Sequence, residues 1–492
     1  MEVAGFGTLL LIFSITFLVT LWMRKGQKSG TPPGPRPLPL LGNILQIDFK
    51  NIVNEFVQLG SQYGPVSMVY LAQKPVVVLN GYDVVKEAFV EHGDVFSDRG
   101  NIAITDIAFK GYGVVFSNGD RWKQMRRFSL STLRQFGMGK RSLESRVQEE
   151  AKCLAEEFKK KGGEPFDPTV LLSLAVSNVI SSIVFDQRFD YEDNEFLSML
   201  KLLQEAFRIA SSTWAQIFSL APKLLMHFPG SHHKVLKNFD KLKEYVIGKV
   251  KLHERTLDKN CPRDFIDCFL IKMGQEKDNA ATEFNHENLF VTIINLYFAG
   301  TESTSTTLRY ALLILLKYPD IRKKIQDEID KVIGQSRCPT MEDRFKMPYT
   351  DAVIHEIQRF IDLLPQGVPH STNQDINLRG YHIPKGTTVF SMLTSVLKDE
   401  KYFKNPQKFD PGHFLDDQGN LKKNEAFIPF SIGKRICLGE GLARMEIFLF
   451  LTSILQVFDL KCNMEPEDID ISPVPNRIIN NPQPYMLSMN KR

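Results

Sequence analysis

Cysteine is scarce in this chain, with six residues among 492 and no C-x-x-C pair. The sequence also contains no N-x-S/T glycosylation site. Secreted disulfide scaffolds are dense in cysteine, and glycosylation sites are typical of extracellular chains. Both absences favour a reducing environment that faces the cytosol. Because no G-x-G-x-x-G sequence follows a predicted strand, the chain also shows no nucleotide-binding domain of its own.

An excess of one charge is also missing. Lys and Arg number 61 and Asp and Glu 57, which leaves a formal net charge of +4. This balance excludes a typical nucleic-acid-binding protein, so any basic surface must be local. The 43% hydrophobic and 24% charged content is ordinary for a globular protein and excludes a disordered, collagenous or coiled-coil chain.

The longest hydrophobic run is at the N-terminus. Residues 3–23 carry no charge, and a helix of that length crosses a hydrocarbon core of about 30 Å. The run is longer than the core of a cleaved signal peptide, so we predict a transmembrane signal-anchor at residues 1–23. Arg24, Lys25 and Lys28 follow, and the positive-inside tendency puts the rest of the chain in the cytosol.

A basic and proline-rich segment follows the predicted anchor. Five of the ten residues 31–40 are proline, which forbids a helix and favours a stiff, extended conformation. We therefore predict that residues 24–40 form a hinge between the membrane and a body formed by residues 41–492. A ligand for an SH3-type domain is the alternative.

The body carries strand patterns near its two ends and helical patterns between them. Strands are predicted at 66–71, 75–80, 376–383 and 387–392, and helices at 143–160, 320–333 and 350–361 among others. The first two strands would form a hairpin. No repeat or second linker interrupts the body, so the prediction is one mainly α domain with a small β subdomain.

The longest predicted helix has a polar centre. It runs from about Asn285, a good N-cap residue, to about Tyr318, just before Pro319. Residues 299–307 in its middle are mostly small and polar, where a buried helix should be apolar. Such local conflicts often mark functional sites. A solvated stretch on a surface helix is the alternative.

Cys437 differs from the other five cysteines in its setting. It lies in a loop with Gly433 and Gly439, directly before an apolar helix. The helix N-terminus and the neighbouring Arg435 are expected to favour its thiolate form. No second cysteine or histidine lies close by, so a tetrahedral zinc site is excluded. A lone thiolate suits a metal whose other positions are filled by a macrocycle.

This loop resembles the haem-binding signature F-x-x-G-x-R-x-C-x-G of the cytochrome P450 monooxygenases. Phe430, Gly433, Arg435, Cys437 and Gly439 occupy its fixed positions. The resemblance implies the cytochrome P450 fold, with haem b held by the thiolate of Cys437.

Three further family sequences occur in the expected order, so the resemblance covers essentially the whole chain. They are W-x-x-x-R at Trp122–Arg126, the oxygen-activating motif at residues 299–304 and E-x-x-R at Glu356–Arg359. The N-terminal segments and the Phe409–Phe414 sequence resemble the microsomal, vertebrate family-two members. The implied activity is NADPH- and O2-dependent hydroxylation or epoxidation of lipophilic molecules such as xenobiotics, fatty acids or steroids. Related isomerases or dehydratases of peroxides, and a non-enzymatic haem sensor, are the rival functions.

The resemblance also implies roles for individual residues. The groups that would contact the haem propionates are Arg99, Trp122, Arg126, His370 and Arg435. The groups that would carry protons are Glu302 and the hydroxyls of Thr301, Ser303 and Thr304, with Ser303 at a position where the family usually has threonine. The residues in substrate-recognition segments are Ile104, Phe109, Phe207, Phe298, Ala299, Leu363 and Leu364.

Glu356 and Arg359 lie on one helix face, and an ordinary surface ion pair is the plain alternative for that spacing. In the family the pair is buried and holds the haem loop, together with an arginine whose position His413 takes here. Whether His413 acts as a cation or as a neutral partner is open at this point.

The implied partners are a membrane, an NADPH-cytochrome P450 reductase and, as a second electron donor, cytochrome b5. A run of seven basic residues without an acid between 121 and 141 offers a docking surface, or a merely solvated face. The apolar stretch 207–230 would form either a lid that enters the bilayer or core helices. The implied location is the cytosolic face of the endoplasmic reticulum.

Overall fold

The computed structural model describes residues 30–136, 141–475, 477 and 479–492. Within them the chain is mainly helical with small sheets, as predicted. The α-helices are α1 Ile52–Tyr63, α2 Tyr82–Lys86, α3 Ala103–Phe109, α4 Gly119–Gln135, α5 Arg141–Lys159, α6 Thr169–Val184, α7 Asn194–Ala210, α8 Thr213–Leu220, α9 Pro222–Leu225, α10 Ser231–Thr256, α11 Phe265–Gln275, α12 His286–Lys317, α13 Pro319–Val332, α14 Met341–Arg344, α15 Pro348–Ile361, α16 Leu393–Leu397 and α17 Glu440–Val457.

The predicted hairpin is the edge of a five-stranded sheet. The strands are β1 Val66–Leu71, β2 Lys74–Asn80, β3 Asp98–Arg99, β4 His370–Ser371, β5 Ile376–Leu378, β6 Tyr381–Ile383, β7 Thr388–Met392, β8 Phe458–Lys461 and β9 Ser488–Lys491. The sheet has the order β1-β2-β7-β4-β3, and β5-β6 and β8-β9 form separate pairs. Only β2 and β7 pair in parallel within this sheet, and β3 pairs with β4 so that Arg99 lies opposite His370.

The long helix α12 forms as predicted and organises the helical layer. The Asn285 side chain accepts a hydrogen bond from the Asn288 N–H at 3.0 Å, which satisfies one of the free donors at its start. Helix α13 begins at Pro319, directly after the helix ends. Helix α12 packs against α6, α10, α15 and α17, and one large apolar cluster surrounds it. Its polar centre is therefore enclosed by other helices, which excludes a solvated surface helix.

The described part of the hinge lies against the body. Residues 30–40 form no helix or named strand, as their prolines predict. The Pro33 carbonyl accepts a hydrogen bond from the Met68 N–H of β1 at 2.8 Å, and the Gly30 carbonyl accepts one from His382 at 2.6 Å. These hydrogen bonds hold the segment against the body, because the edge strand β1 offers free donors to it.

The predicted anchor and the first part of the hinge lie outside the described residues. Among the residues that are described, no helix is both long and apolar enough to cross a bilayer.

Candidate active site

The Cys437 loop is folded tightly between a short turn and helix α17. Gly433 has φ +78°, and a Cβ atom there would collide with the carbonyl oxygen of Phe89, so the turn requires glycine. The Cys437 N–H donates to the Phe430 carbonyl at 3.0 Å. A Cβ on Gly439 would meet no atom within 4 Å, so packing does not explain that glycine.

The thiol of Cys437 lies in the interior, yet the residue is accessible. Burial raises its pKa, against a smaller opposing effect of the Arg126 cation. The expectation that Arg435 favours the thiolate is wrong. Its guanidinium points elsewhere and donates to the carbonyls of Ser97 at 2.6 Å and Ser117 at 2.7 Å. A bound metal cation would lower the pKa of this thiol and favour its thiolate form.

Arginine side chains converge beside this loop. The Arg435 guanidinium lies 3.8 Å from the centre of the Trp122 ring. The Trp122 Nε1–H is buried and has no partner among the described residues. Arg126 donates to the Ile436 carbonyl at 2.7 Å, which ties α4 to the cysteine loop.

The sheet adds two more basic side chains to the same cluster. Arg99 and His370 lie opposite each other on β3 and β4. Arg99 donates to the Val368 carbonyl at 3.1 Å. His370 donates through Nδ1–H to the Phe96 carbonyl at 2.7 Å and stacks on Phe89 at 4.0 Å.

These groups repel one another. Burial, followed by Arg126, lowers the pKa of Arg99 to about 9. Burial, with Arg99 and Arg126, lowers the pKa of Arg435 to about 8, although Asp98 opposes the shift. Burial and Arg99 also hold the pKa of His370 well below its usual value, so its imidazole is neutral. Such a cluster of cations and an orphaned indole N–H fits an anionic group.

The Glu356 and Arg359 pair is fully buried, so it is no surface ion pair. Arg359 donates to both carboxylate oxygens of Glu356 at 2.7 Å. Its Nη1 also donates to the carbonyls of Leu397 and Pro406 at 3.0 and 2.9 Å. Glu356 Oε1 accepts the Asp410 N–H at 2.8 Å. The network therefore clamps α15 to the segment that leads into the cysteine loop.

His413 completes this network, and the structure decides its charge. Its Nδ1 lies 3.1 Å from Glu356 Oε2 and its Nε2 lies 2.6 Å from the Lys404 carbonyl. Burial lowers the pKa of His413, but these hydrogen bonds and the Glu356 charge outweigh it and raise the pKa above 6.5. Because both partners are acceptors, both ring nitrogens must donate, and His413 is an imidazolium.

The polar side chains at the centre of α12 lie on two different faces of the helix. The Ser303 hydroxyl donates to the Ala299 carbonyl at 2.7 Å, and the helix stays unbroken there. Thr304 is turned toward α17, where its hydroxyl lies near the buried Glu446. The buried hydroxyl of Thr301 has no partner among the described residues. The sequence analysis missed Glu446, although an acid within the apolar run 445–451 is a usable signal.

Glu302 has a pKa near neutral pH, so its charged and neutral forms are both populated there. Burial raises its pKa to about 7, against a smaller lowering by Arg309. Its Oε1 has no partner among the described residues. A carboxyl of this pKa takes up and releases protons near neutral pH.

Helix α12 also contains Gly300 where another helix approaches closely. A Cβ atom there would lie 2.7 Å from the Ile180 Cδ1 of α6. The glycine therefore lets α6 and α12 pack against each other beside the polar centre.

Comparison with known proteins decides the family. A model of the family "Cytochrome P450" matches residues 32–489. Rat cytochrome P450 2C23 is 53% identical over 491 residues, 99% of each chain. Human cytochrome P450 2C8 is 55% identical over 482 residues, 98% of each chain, and mouse cytochrome P450 2C29 is 55% identical over 479 residues, 97% of this chain and 98% of its own.

The chain belongs to the cytochrome P450 family. It is a haem-thiolate monooxygenase of lipophilic molecules, with electrons from NADPH supplied through a reductase, and it is similar to microsomal members. The cation cluster fits the haem propionates, and the accessible sulfur of Cys437 beside it fits a metal ligand. A thiolate-bound haem supplies the O2 activation that this chemistry needs.

An aromatic cluster brings together part of the predicted substrate pocket of this cytochrome P450. Phe207 and Phe298 have ring centres 4.7 Å apart. Phe239 of α10 lies 6.4 Å from Phe298 and 4.9 Å from Phe109, and so joins them. Sequence reasoning missed Phe239, although the apolar stripe of α10 contains it.

The other predicted pocket residues are not part of this aromatic cluster. Ile104 is buried on α3, and Ala299 is accessible beside Phe298 on α12. Leu363 and Leu364 follow α15 and are half-buried. The Leu363 carbonyl accepts the Asn480 N–H at 3.0 Å, so the C-terminal loop contacts this segment.

The structure exposes fewer unpaired basic side chains on the predicted docking face than the sequence suggested. Arg126 is turned toward the cysteine loop, and Arg121 is paired with Glu283 at 2.7 Å. Arg127 and Arg134 remain exposed on α4. Lys140, and the side chain of Arg141, lie outside the described residues.

Proposed function

We propose that Cys437 is the axial ligand of the haem in this monooxygenase, and that Arg99, Trp122, Arg126, His370 and Arg435 hold the propionates. Phe430, Gly433 and Gly439 belong to the same haem-binding loop, in which Gly433 allows the turn. The observation that carries the proposal is the convergence of unpaired cations and the Trp122 N–H beside an accessible interior thiol. Removal of the sulfur should therefore change the ligand of the haem iron, whereas removal of a cation should weaken haem binding.

The carbon monoxide spectrum of the reduced holoenzyme tests the ligand. We expect a thiolate-type Soret band in the wild type and its loss in Cys437→Ala. Cys261→Ala, which removes an exposed thiol, is the control and should keep the band. An imidazole-type band in the wild type, or a thiolate-type band in Cys437→Ala, would overturn the proposal.

Proton delivery is assigned to the centre of α12. Glu302, with a pKa of about 7, can pass a proton to the Ser303 hydroxyl on the accessible face of the helix. Thr301 adds an unpartnered hydroxyl, and Thr304 orients the neighbouring turn through Glu446. The roles of these residues are to hold and move protons, and the Glu356–Arg359–His413 network is structural.

We further propose that residues 1–23 anchor the protein once in the endoplasmic reticulum membrane, that residues 24–40 link this anchor to the body and that the catalytic domain is cytosolic. The apolar side chains of Leu224 and Phe228 support contact between the 207–230 segment and the membrane. They are 62% and 53% exposed, respectively, whereas Phe218 of α8 is buried. Deletion of residues 1–23 should make the protein extractable from microsomes by alkaline carbonate, which removes peripheral proteins; resistance to this extraction after the deletion would contradict the anchor.

The electron donor is proposed to be an NADPH-cytochrome P450 reductase, with cytochrome b5 as a second donor. Arg127 and Arg134 on α4 offer it a basic contact on the helix that also reaches the cysteine loop. Substrate-dependent NADPH consumption with reconstituted reductase distinguishes the functions. An isomerase or dehydratase of peroxides would turn over without NADPH, and a haem sensor would not turn over.

A further inference from the structure

Two adjacent histidines at the start of α10 hold the segment that precedes this helix. The segment, residues 213–230, contains the short helices α8 and α9. The Trp214 Nε1–H of α8 donates to His232 Nδ1 at 3.3 Å. His233 donates through Nε2–H to the Phe228 carbonyl at 3.1 Å. Both ends of the segment are therefore fastened to the first turn of α10.

The His232 ring is also held by stacking. It is fully buried and lies 4.5 Å from the Phe218 ring of α8, at an interplanar angle of 19°. A Cβ atom on Gly230 would lie 2.7 Å from His232 Nδ1 and 2.8 Å from Trp214 Cζ2. Glycine at this position therefore leaves the room that the tryptophan and the histidine need to meet.

The hydrogen bond requires the neutral form of His232. The indole N–H of Trp214 can only donate, so Nδ1 must accept and the ring proton must lie on Nε2. This Nε2–H is buried and has no partner among the described residues. A second proton on the ring would go to Nδ1 and set two donors against each other. Protonation of His232 would therefore break its bond to Trp214.

Few charged groups act on His232. Burial lowers its pKa, and the neighbouring His233 lowers it further. Helix α8 carries no titratable side chain, and the N-terminus of α10 is itself unfavourable for a cation. The remaining titratable side chains of the surrounding elements are Asp106 of α3, Lys223 of α9, His227, and Lys234 of α10, which is bound to Glu205 at 2.6 Å. The neutral form of His232 therefore predominates at neutral pH.

The same segment adjoins the aromatic pocket and carries exposed apolar side chains. The Ser219 hydroxyl of α8 accepts the Ala103 N–H of α3, the helix that contains pocket residues, at 3.4 Å. Phe239 of the aromatic cluster follows His232 by seven residues, so both lie on one face of α10. Leu224 of α9 is exposed. A lipophile that moves between a bilayer and the pocket would meet this segment.

The segment has little intrinsic stability. Helices α8 and α9 have eight and four residues, and helices of this length do not persist without packing. Pro222 and Pro229 each lack an N–H that could join a hydrogen-bonded ladder. Regions of this kind open locally at a small cost in free energy. The contacts to α10 are therefore important for keeping the segment closed.

We propose that the Trp214–His232 hydrogen bond is the latch of a lid formed by residues 213–230, which opens to let lipophilic molecules enter and leave the pocket. This inference rests on the proposed function, because it presupposes a haem pocket that accepts such molecules. A buried hydrogen bond contributes about 1 kcal/mol, so its loss should favour the open lid about fivefold.

Ligand exchange at the haem of the reduced holoenzyme tests the latch. Carbon monoxide is a small haem ligand, whereas tert-butyl isocyanide is bulky and uncharged, and stopped-flow kinetics measure both. Trp214→Phe keeps an aromatic ring and removes the N–H donor. We expect it to raise the association and dissociation rate constants of tert-butyl isocyanide about fivefold and to leave its affinity within about twofold. Both rate constants of carbon monoxide should stay within about twofold, because the small ligand does not need the lid to open.

The response to acid identifies His232 as the titrating group. In the wild type, exchange of tert-butyl isocyanide should accelerate as pH falls from about 7 to about 5.5, because protonation of His232 breaks the latch. His232→Asn offers an amide oxygen to Trp214 and does not titrate, so it should keep slow exchange and lose the acceleration. Lys223→Gln removes an exposed cation from the same segment and should behave as the wild type.

Three outcomes would overturn the latch. They are unchanged isocyanide rate constants in Trp214→Phe, equal acceleration of carbon monoxide and the isocyanide in that variant, and acid acceleration that persists in His232→Asn. Failure of the wild type to bind tert-butyl isocyanide, with an intact haem spectrum, would instead overturn the lipophile pocket on which the lid depends.

Discussion

The molecule contains two buried charged clusters around the cysteine loop, and they are built differently. In one, Glu356 forms two hydrogen bonds to Arg359 and one to His413, so opposite charges meet. In the other, Arg99 and Arg435 lie near each other and donate mainly to backbone carbonyls. The first cluster is complete without a ligand and holds the fold. The second has an excess of positive charge, which suits a site that binds an anionic group.

The largest expected effect comes from breaking the complete cluster. Arg359→Met leaves the fully buried Glu356 carboxylate without its main partner, which should lower the free energy of unfolding by about 3–5 kcal/mol. Urea unfolding measures the change. Lys323→Met, which breaks an exposed i,i+4 pair with Asp327, is the matched control and should change the free energy by less than about 0.5 kcal/mol. Equal unfolding midpoints for the two variants would contradict the comparison.

The second cluster should respond less strongly. Arg435→Gln removes one of the mutually repelling cations but also the hydrogen bonds to the Ser97 and Ser117 carbonyls, so the haem-free protein should lose less stability than Arg359→Met does. The same change removes a charged hydrogen-bond donor from the propionate site, so haem affinity should fall about tenfold. Transfer of haem to an excess of apomyoglobin measures the affinity. A variant that loses stability without haem but keeps its affinity would show that Arg435 is structural.

A smaller effect is expected from the pH dependence of the complete cluster. The folded-state pKa of His413 is raised above 6.5, so its contribution to stability is fully present below pH 6.5 and is lost as pH rises through the folded-state pKa. His413→Arg keeps the cation at every pH in this range and should flatten that part of the stability profile. Urea unfolding between pH 6 and 9 measures it. Parallel profiles for wild type and variant would mean that His413 is neutral.

The smallest effect is expected at Ser303. Ser303→Thr keeps the hydroxyl that bonds to Ala299 and adds a methyl group that restricts χ1. We expect hydrogen peroxide release per NADPH to fall about twofold, because the hydroxyl is more strictly oriented. Equal coupling of O2 use to product in the two enzymes would contradict this orientation effect.

Local patterns predicted the elements well. The Asn285 cap, the stop at Pro319 and the hairpin of β1 and β2 depend on neighbouring residues, so the sequence carries their signals directly. The arrangement of the aromatic pocket was only partly predictable. Phe239 joins Phe109 to Phe298 from a third helix, and such a contact has no local signature.

The sequence by itself determined the haem-thiolate loop around Cys437, the mainly helical body and the family to which the chain belongs. Only the tertiary structure decided the electrostatic setting of these groups. His413 is a cation, burial raises the pKa of the Cys437 thiol, and Arg435 points away from the sulfur. The physical reason is that charge states depend on burial and on partners from distant segments. Those quantities exist only once the chain has folded.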